Sequence, residues 1–302
     1  DPVFTRKHVR FLERGAVEFL TPLESLCIQP SVNRSGDKVI YVALDSFSAT
    51  MDNDPSAIVM LDMASKTTRA LIRDGQPNRM PYWHPDGNKL LYVSGTGRGS
   101  KIYEADTAGA DPTCLTDWTQ YGATASWNDP CWNNDGTEIL CVVDSIGRRD
   151  EEAVLSRIVT IDPRQRELHV WTESRSARFS NPVYVDKNTI LATKIAKAAD
   201  GSETIGMVTS SRKGKLSAFK DKLDDLTPRP PAWGGCYIPS QRRFLYNSIA
   251  TEMWGDVFIR DKKNYLRVFV GRSLPSRGDT THFFAMPHYP EIYRRTWSTS
   301  ER

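Results

Sequence analysis

The sequence predicts an all-β fold, namely a single β-propeller whose blades are four-stranded antiparallel sheets. Two observations lead to this prediction. A hairpin unit recurs along the chain at intervals of about 50 residues, and each chain end carries half of such a unit. Repeats of about 40–50 residues with four strands each are typical of propeller blades. A helical solenoid is disfavoured, because none of the units carries a sustained apolar stripe at helical spacing.

The clearest hairpin lies at residues 81–95, PYWHPDGNKLLYVSG. The Pro-Asp-Gly sequence at 85–87 is a tight-turn signal, and strand-forming residues stand on both sides of it. Related hairpins occur at residues 30–43 and 130–143. We expect a positive φ angle at the turn glycine of each hairpin, namely Gly36, Gly87 and Gly136.

A second pair of predicted strands follows each hairpin, at residues 58–72, 102–116 and 158–172. Each pair begins with a β-branched or aromatic run that closes on an aspartate, continues through a polar turn and ends in another short run. More divergent copies follow at residues 181–193 and 230–271. A sandwich of similar hairpins is the alternative, but the whole order of elements recurs, which favours the propeller.

The two chain ends indicate how the ring closes. Residues 8–21 match the outer half of a blade and residues 282–297 match an inner half, so together they would complete one blade and remove an open seam. This predicts six blades, with five or seven left open. We expect one propeller domain over residues 1–302, with blades at approximately 27–76, 77–122, 123–180, 181–226, 227–280, and 281–302 together with 1–26.

The pattern P-x-W-x-P-D-G-x-x-[IL]-[IL]-Y-x-S, followed by an I-Y-x-x-D strand, resembles the TolB-like β-propeller repeat family. The match is sharp at residues 81–106 and looser at 30–62 and 130–162. The family's repeat also occurs in the propellers of prolyl peptidases and in oligogalacturonate lyases. The resemblance implies the propeller fold and a periplasmic or extracellular location, whereas a shared fold does not by itself imply an activity.

The composition fits a β-rich protein with a substantial core and excludes two classes of partner. No stretch approaches the ~18–20 apolar residues that span a bilayer, so no membrane span is expected. The 40 basic and 37 acidic residues nearly balance, and no basic block alternates with aromatic residues, which argues against nucleic-acid binding. The chain begins at Asp1 instead of Met, and we expect that it has been processed or trimmed.

Two of the five cysteines, Cys131 and Cys141, flank the turn of the third hairpin. On adjacent antiparallel strands they would lie nearly opposite each other, at a distance from which a disulfide can form. The alternative is a pair of small buried apolar side chains. Their spacing is not that of a zinc knuckle.

Motifs for catalysis are missing, and neither a metal nor a cofactor is expected. The sequence contains no nucleophile elbow, zinc-protease helix motif or Walker loop. The resemblance to the lyases implies a metal held by several histidines in the central channel. Only His282 and His288 fall near a predicted inner strand, and both belong to one blade, whereas a metal needs ligands from several elements.

A binding surface is expected at the funnel mouth, which we define as the end of the propeller where the inner strands begin. The residues just before each Pro-aromatic segment should line it: Gln29, Arg79, Asp129, Arg178, Arg229 and His282. The three arginines could attract an anionic peptide or a sugar acid. The alternative is a ring of solvated polar residues around a water-filled hole.

Two hypotheses for function follow. The first is a non-catalytic propeller scaffold that mediates protein–protein interaction as a subunit of a periplasmic or envelope-associated complex, with other protein subunits as its partners. The alternative is a carbohydrate-active enzyme of the oligogalacturonate lyase type that acts in the propeller funnel. Both the location and the lyase activity are implied by the family resemblance alone.

Overall fold

The computed structural model describes residues 20–21, 26–44, 54–96, 99–117, 125–146, 154–197, 201–219, 232–238, 243–248, 256–260 and 265–269. Throughout these ranges the regular elements are β-strands, and no helix occurs in them. The strands form five four-stranded sheets, which we number as blades 1 to 5 in chain order. The predicted all-β class and four-stranded blade are confirmed.

Blade 1 contains β1 (Leu26–Val32), β2 (Lys38–Leu44), β3 (Ser56–Asp62) and β4 (Thr68–Ile72). Blade 2 contains β5 (Asn78–Trp83), β6 (Lys89–Ser94), β7 (Lys101–Asp106) and β8 (Thr113–Cys114). Blade 3 contains β9 (Ser126–Trp132), β10 (Ile139–Ile146), β11 (Val154–Asp162) and β12 (Glu167–Ser174). Blade 4 contains β13 (Ala177–Asp186), β14 (Thr189–Lys197), β15 (Glu203–Ser211) and β16 (Leu216–Ala218). Blade 5 contains β17 (Ala232–Ile238), β18 (Arg243–Ser248), β19 (Asp256–Arg260) and β20 (Tyr265–Phe269).

Every blade is an antiparallel meander in which each strand pairs with the next one along the chain. The blades pack face to face in chain order. The first strand of each blade contacts the first three strands of the blade before it, as β9 does with β5, β6 and β7. This stacking of radial sheets is the propeller architecture that the repeat predicts.

The core lies between blades. One buried cluster joins Leu91 and Val93 of blade 2 with Trp127 of blade 3 and Ile190 of blade 4. Between blades 3 and 4, Trp171 and the Tyr184 hydroxyl both bond the Thr160 hydroxyl, which places polar partners inside an apolar seam. A single four-stranded sheet cannot bury both of its faces alone, so neighbouring blades stabilise one another.

The hairpin turns form as the sequence predicts. Gly36, Gly87 and Gly136 have φ angles of 76°, 81° and 66°. In the blade 2 hairpin the amide of Gly87 donates to the carbonyl of His84 at 2.9 Å, and the amide of His84 donates to the carbonyl of Lys89 at 2.9 Å. The predicted positive φ angles are therefore confirmed.

Two stretches with a weak strand pattern in the sequence contain parts of strands. Residues 144–157 contain the end of β10 and the start of β11, and residues 194–226 contain β15 and β16. The fourth blade also starts earlier than predicted, because β13 begins at Ala177 instead of residue 181. Small and polar residues such as those of ETIGMVTSS weaken the alternation that marks a strand, so the sequence did not reveal β15.

The cysteine pair does not form the disulfide considered above. Cys131 and Cys141 are free and buried, and the β9–β10 register places Cys131 opposite Leu140. A shift in register between Leu140 and Val142 disrupts the pairing that a simple hairpin would give. The alternative, two small buried apolar side chains, fits the structure.

The predicted composite blade of residues 281–302 and 1–26 falls outside the described residues, apart from residues 20–21 and Leu26, which starts β1 of blade 1. The count of six blades and the closure by N-terminal strands therefore stay predictions.

Candidate binding site at the funnel mouth

The predicted site residues occupy three kinds of position. Gln29 and Asp129 lie in the middle of the inner strands β1 and β9. Arg79 and Arg178 lie near the starts of β5 and β13. Arg229 and His282 are outside the described residues.

The inner strand of each of the first four blades contains a bulge at a residue that precedes proline. The register of the strand pair shifts there, as between Ile28 and Ser31 in blade 1. Because proline lacks an amide hydrogen, it cannot continue the ladder of backbone hydrogen bonds, and a bulge accommodates it. The residue before the proline has a left-handed conformation with φ between 48° and 54° in all four blades: Gln29, Met80, Asp129 and Asn181.

These four residues link consecutive blades. The Met80 amide donates to Gln29 Oε1 at 2.7 Å, the Asp129 amide donates to Met80 Sδ at 3.2 Å, and the Asn181 amide donates to Asp129 Oδ2 at 2.9 Å. Each bond thus joins the side chain of one bulge residue to the backbone of the equivalent residue in the next blade. We call this set of three bonds the funnel ladder.

Arg79 is part of the blade framework. It is only 2% exposed, its Nη1 donates to the carbonyl of Gly95 at 2.6 Å, and its Nη2 donates to Asn128 Oδ1 at 3.3 Å in blade 3. The side chain therefore bonds both its own blade and the next one. This burial departs from the prediction that Arg79 lines the funnel mouth, because the neighbouring blade covers the guanidinium.

Arg178 is the accessible cation of the described site. Its side chain is 65% exposed and forms one ion-pair contact, from Nη2 to Asp144 Oδ2, at 3.2 Å. Asp144 lies at the end of β10 in the preceding blade and is only 8% exposed. The pair leaves most of the Arg178 guanidinium open to solvent at the end of the ring where β13 begins.

Asp129, in the middle of β9, is a half-buried carboxylate. Burial raises its pKa to about 6. The hydrogen bond from the Asn181 amide and the charge of Arg79 lower this pKa, whereas the charge of Asp144 raises it further. Desolvation has the largest effect on this pKa, because the hydrogen bond from Asn181 and the charge of Arg79 do not replace the hydration that the carboxylate loses on burial.

The described histidines lie at the opposite end of the blades, where the hairpin turns are. One ring nitrogen of His84 lies 3.2 Å from the Gly136 carbonyl, and its ring contacts Trp132 edge-on. His169 Nε2 lies 3.1 Å from the Arg212 carbonyl. Both histidines thus make contacts between blades, and no group of three metal-ligating side chains occurs within the described residues.

Sequence reasoning missed three members of this region. Met80 and Asn181 each precede a proline just as Gln29 and Asp129 do, so a strict X-Pro alignment would have found them. Asp144 was not among the predicted residues, because the length of β10 is not evident from the sequence. We know of no local signal that predicts its pairing with Arg178.

Comparisons with known proteins point to one fold. No family model matches the sequence. A stretch of 54 residues, 18% of the chain, is 41% identical to the Tol-Pal system protein TolB of Thioalkalivibrio sulfidiphilus, and it spans only 12% of that relative.

Two solved structures are similar over most of the chain. TolB from Acinetobacter baumannii aligns with a TM-score of 0.56 and 15% identity, covering 83% of this chain and 57% of that one. Putative TolB from Agrobacterium tumefaciens aligns with a TM-score of 0.59 and 15% identity, covering 83% of each chain. The protein is therefore a TolB-like β-propeller in fold. Within the described residues, no helix is long and apolar enough to cross a membrane.

Proposed function

We propose that the protein is a non-catalytic β-propeller scaffold that binds other proteins, as a subunit of a periplasmic or envelope-associated complex. The local identity to a Tol-Pal system protein supports both the class of function and a periplasmic or extracellular location. Propellers offer rigid surfaces on which loops and exposed side chains are displayed for binding.

One observation at the funnel mouth carries this proposal. The described charged groups there bond neighbouring protein groups: Arg79 bonds the Gly95 carbonyl and the Asn128 side chain, and Asp144 pairs with Arg178. Because Arg79 is buried and bonded to protein groups, Arg178 is the arginine of the described site that a ligand can reach. The arrangement suits a firm binding platform with Arg178 as its exposed anchor.

We infer that the ligand at this platform is anionic. Arg178 can present a planar fork of donors to a carboxylate, which is the geometry that arginine binds best. An acidic peptide segment of a partner protein carries such carboxylates. A free sugar acid carries the same group and is the alternative ligand.

The experiment combines capture and assay. The purified chain is used to isolate partners from the native source, and the complex is then reconstituted and measured by size-exclusion chromatography. In parallel, the chain is incubated with divalent metals and an oligogalacturonide while the absorbance of the unsaturated product is followed. We expect a defined complex and no turnover. Turnover that His282→Ala abolishes would overturn the scaffold proposal in favour of the lyase.

We also propose that the ring has six blades and closes through its N-terminal strands, as the sequence of the two chain ends predicts. Deleting residues 1–21 would then leave the last blade without its outer strands, and exposed strand edges promote aggregation. We expect the truncated chain to aggregate. A soluble truncation that unfolds cooperatively with unchanged stability would contradict the composite blade.

A further inference from the structure

The outer edge of blade 4 is open at the end of the blade that belongs to the funnel mouth. The third strand, β15, pairs with β14 along its whole length, whereas β16 pairs with residues 208–210 only. The amide of Phe219 adds one further bond, to the carbonyl of Met207 at 3.0 Å. Within the described part of the chain, residues 203–206 therefore have no outer strand.

Blades 1 to 3 close the same edge. In blade 1 the amide of Ser56, at the start of β3, donates to the carbonyl of Gln76 at 3.1 Å. In blade 2 the amide of Ile102 donates to Thr116 Oγ1 at 2.9 Å. In blade 3, β12 pairs with β11 as far as Ser156. The open stretch is thus a feature of blade 4 and is not a general property of the repeat.

The direction of the backbone groups in the open stretch follows from the pairing. In an antiparallel strand the amide and carbonyl of one residue point to the same neighbouring strand, and those of the next residue point to the opposite one. Because the Met207 carbonyl points outward to Phe219, the backbone groups of Ile205 and Glu203 point outward as well. Such an edge can pair with an extended segment of another chain.

The side chains around the open stretch favour an acidic segment. Lys194 and Lys197 of β14 lie opposite Gly206 and Glu203, and Arg178 of β13 adds a positive charge at the same end of the blade. A Cβ atom on Gly206 would meet nothing within 4 Å, so the space beside it can take a side chain of an added strand. Alternate strands of a sheet are ~9.5 Å apart, a distance that a lysine and a carboxylate can bridge across a glycine.

We propose that an extended, acidic segment of a partner protein adds to the outer edge of β15 at residues 203–206. Its backbone pairs with Ile205 and Glu203, and a carboxylate opposite Gly206 binds Lys194. Main-chain bonds supply the affinity in strand addition, and the side chains select the register. The proposal rests on the scaffold function proposed above, to which it adds a second contact beside the one at Arg178.

The first test follows the backbone amides of the wild-type chain by hydrogen exchange in nuclear magnetic resonance. The probe is a short synthetic peptide in which aspartate alternates with valine or threonine. We expect the Ile205 amide to exchange rapidly in the free chain and about tenfold or more slowly with excess peptide, because it then enters a strand pair. Slow exchange of this amide in the free chain, or no change with the peptide, would overturn the proposal.

The second test removes the outward donor. Ile205→Pro lacks the amide hydrogen at a position where an edge strand tolerates proline. We expect this variant to weaken peptide binding by about tenfold or more, and the control Ile205→Val, which keeps the amide, to bind as the wild type does. Wild-type affinity in Ile205→Pro would overturn the proposal.

A third test leaves the backbone unchanged, so that it does not depend on the folding of the proline variant. Lys194→Glu should weaken peptide binding, whereas the control Lys215→Glu, in the turn between β15 and β16, should not. Equal affinities of these two variants would overturn the proposal. Arg178→Glu separates the two contacts: if it abolishes peptide binding while Ile205→Pro binds normally, the strand addition fails and the scaffold function stands.

Discussion

The inner-strand bulges and the first hairpin turns of blades 1 to 3 both contain left-handed residues, but they use them differently. At these turns the residue is glycine, and its amide bonds a carbonyl three residues earlier, as Gly87 does with His84. At the bulges the residue carries a side chain, and its amide bonds a side chain of the preceding blade, as Asn181 does with Asp129. The turn closes one blade, whereas the bulge joins two.

This difference shows which contacts stabilise the left-handed residues of the bulges. A left-handed conformation costs a residue with a side chain about 1–2 kcal/mol, so it persists only where other contacts compensate. In the funnel ladder the compensation comes from the neighbouring blade. The inner strands therefore link consecutive blades at the bulges, whereas the contacts between blades at the turn end come from side chains such as those of His84 and His169.

The largest expected effect comes from Arg79 at the funnel mouth. Arg79→Met keeps the apolar stem but removes the donors that reach Gly95 and Asn128, and it leaves these half-buried acceptors without the bonds that the guanidinium made. We expect a loss of about 2–4 kcal/mol in the free energy of unfolding by urea denaturation.

The matched control is Lys89→Met at the turn end, where Lys89 Nζ pairs with Glu104 Oε1 at 2.7 Å on the surface. An exposed pair of this kind contributes less than about 1 kcal/mol. Equal losses in the free energy of unfolding would show that Arg79 at the funnel mouth contributes no more to stability than Lys89 at the turn end.

A smaller effect separates two turns that look alike in sequence. A Cβ atom on Gly136 would lie 2.3 Å from His84 Nε2 of the adjacent blade, whereas a Cβ atom on Gly87 would meet nothing within 4 Å. We expect Gly87→Ala to cost about 1–2 kcal/mol from the left-handed backbone alone. Gly136→Ala should cost more, because the His84 ring must also move. Equal values in chemical denaturation would mean that this contact between turns contributes nothing.

The smallest effect tests one step of the funnel ladder. Gln29→Ala removes the acceptor of the Met80 amide, and the loss of one such bond costs on the order of 1 kcal/mol. Ser35→Ala is the control at the blade 1 turn, since its hydroxyl is exposed and bonds only nearby residues. In thermal or urea unfolding, Gln29→Ala should be less stable than Ser35→Ala. The reverse order would contradict a stabilising role of the funnel ladder.

The sequence allowed the turns to be predicted because their signal is local. Pro-Asp-Gly specifies the turn at Gly87 from three adjacent residues, and the fold confirms it. The bulges depend on contacts between residues 51, 49 and 52 positions apart, which no single repeat contains. The prediction therefore selected the bulge residue in blades 1 and 3, Gln29 and Asp129, but chose Arg79 and Arg178 in blades where Met80 and Asn181 occupy the bulge.

The burial of Arg79 was beyond sequence reasoning for a related reason. Arginine side chains are mostly exposed in proteins. Arg79 is buried instead, and Asn128 of the next blade accepts a hydrogen bond from its guanidinium. Arg178, in contrast, pairs with Asp144 and keeps most of its side chain exposed to solvent. Which arginine is buried is decided by packing between blades, and local sequence does not encode it.

We propose that the funnel mouth, and not the turn end, binds the protein partner. The most direct measurement is the dissociation constant of the reconstituted complex for the wild-type chain, Arg178→Glu and Lys187→Glu. Arg178 and Lys187 lie at opposite ends of the same blade, at the start of β13 and in the turn that follows it. We expect Arg178→Glu to weaken binding by about tenfold or more and Lys187→Glu to leave it unchanged. Unchanged binding by Arg178→Glu together with weakened binding by Lys187→Glu would contradict the account.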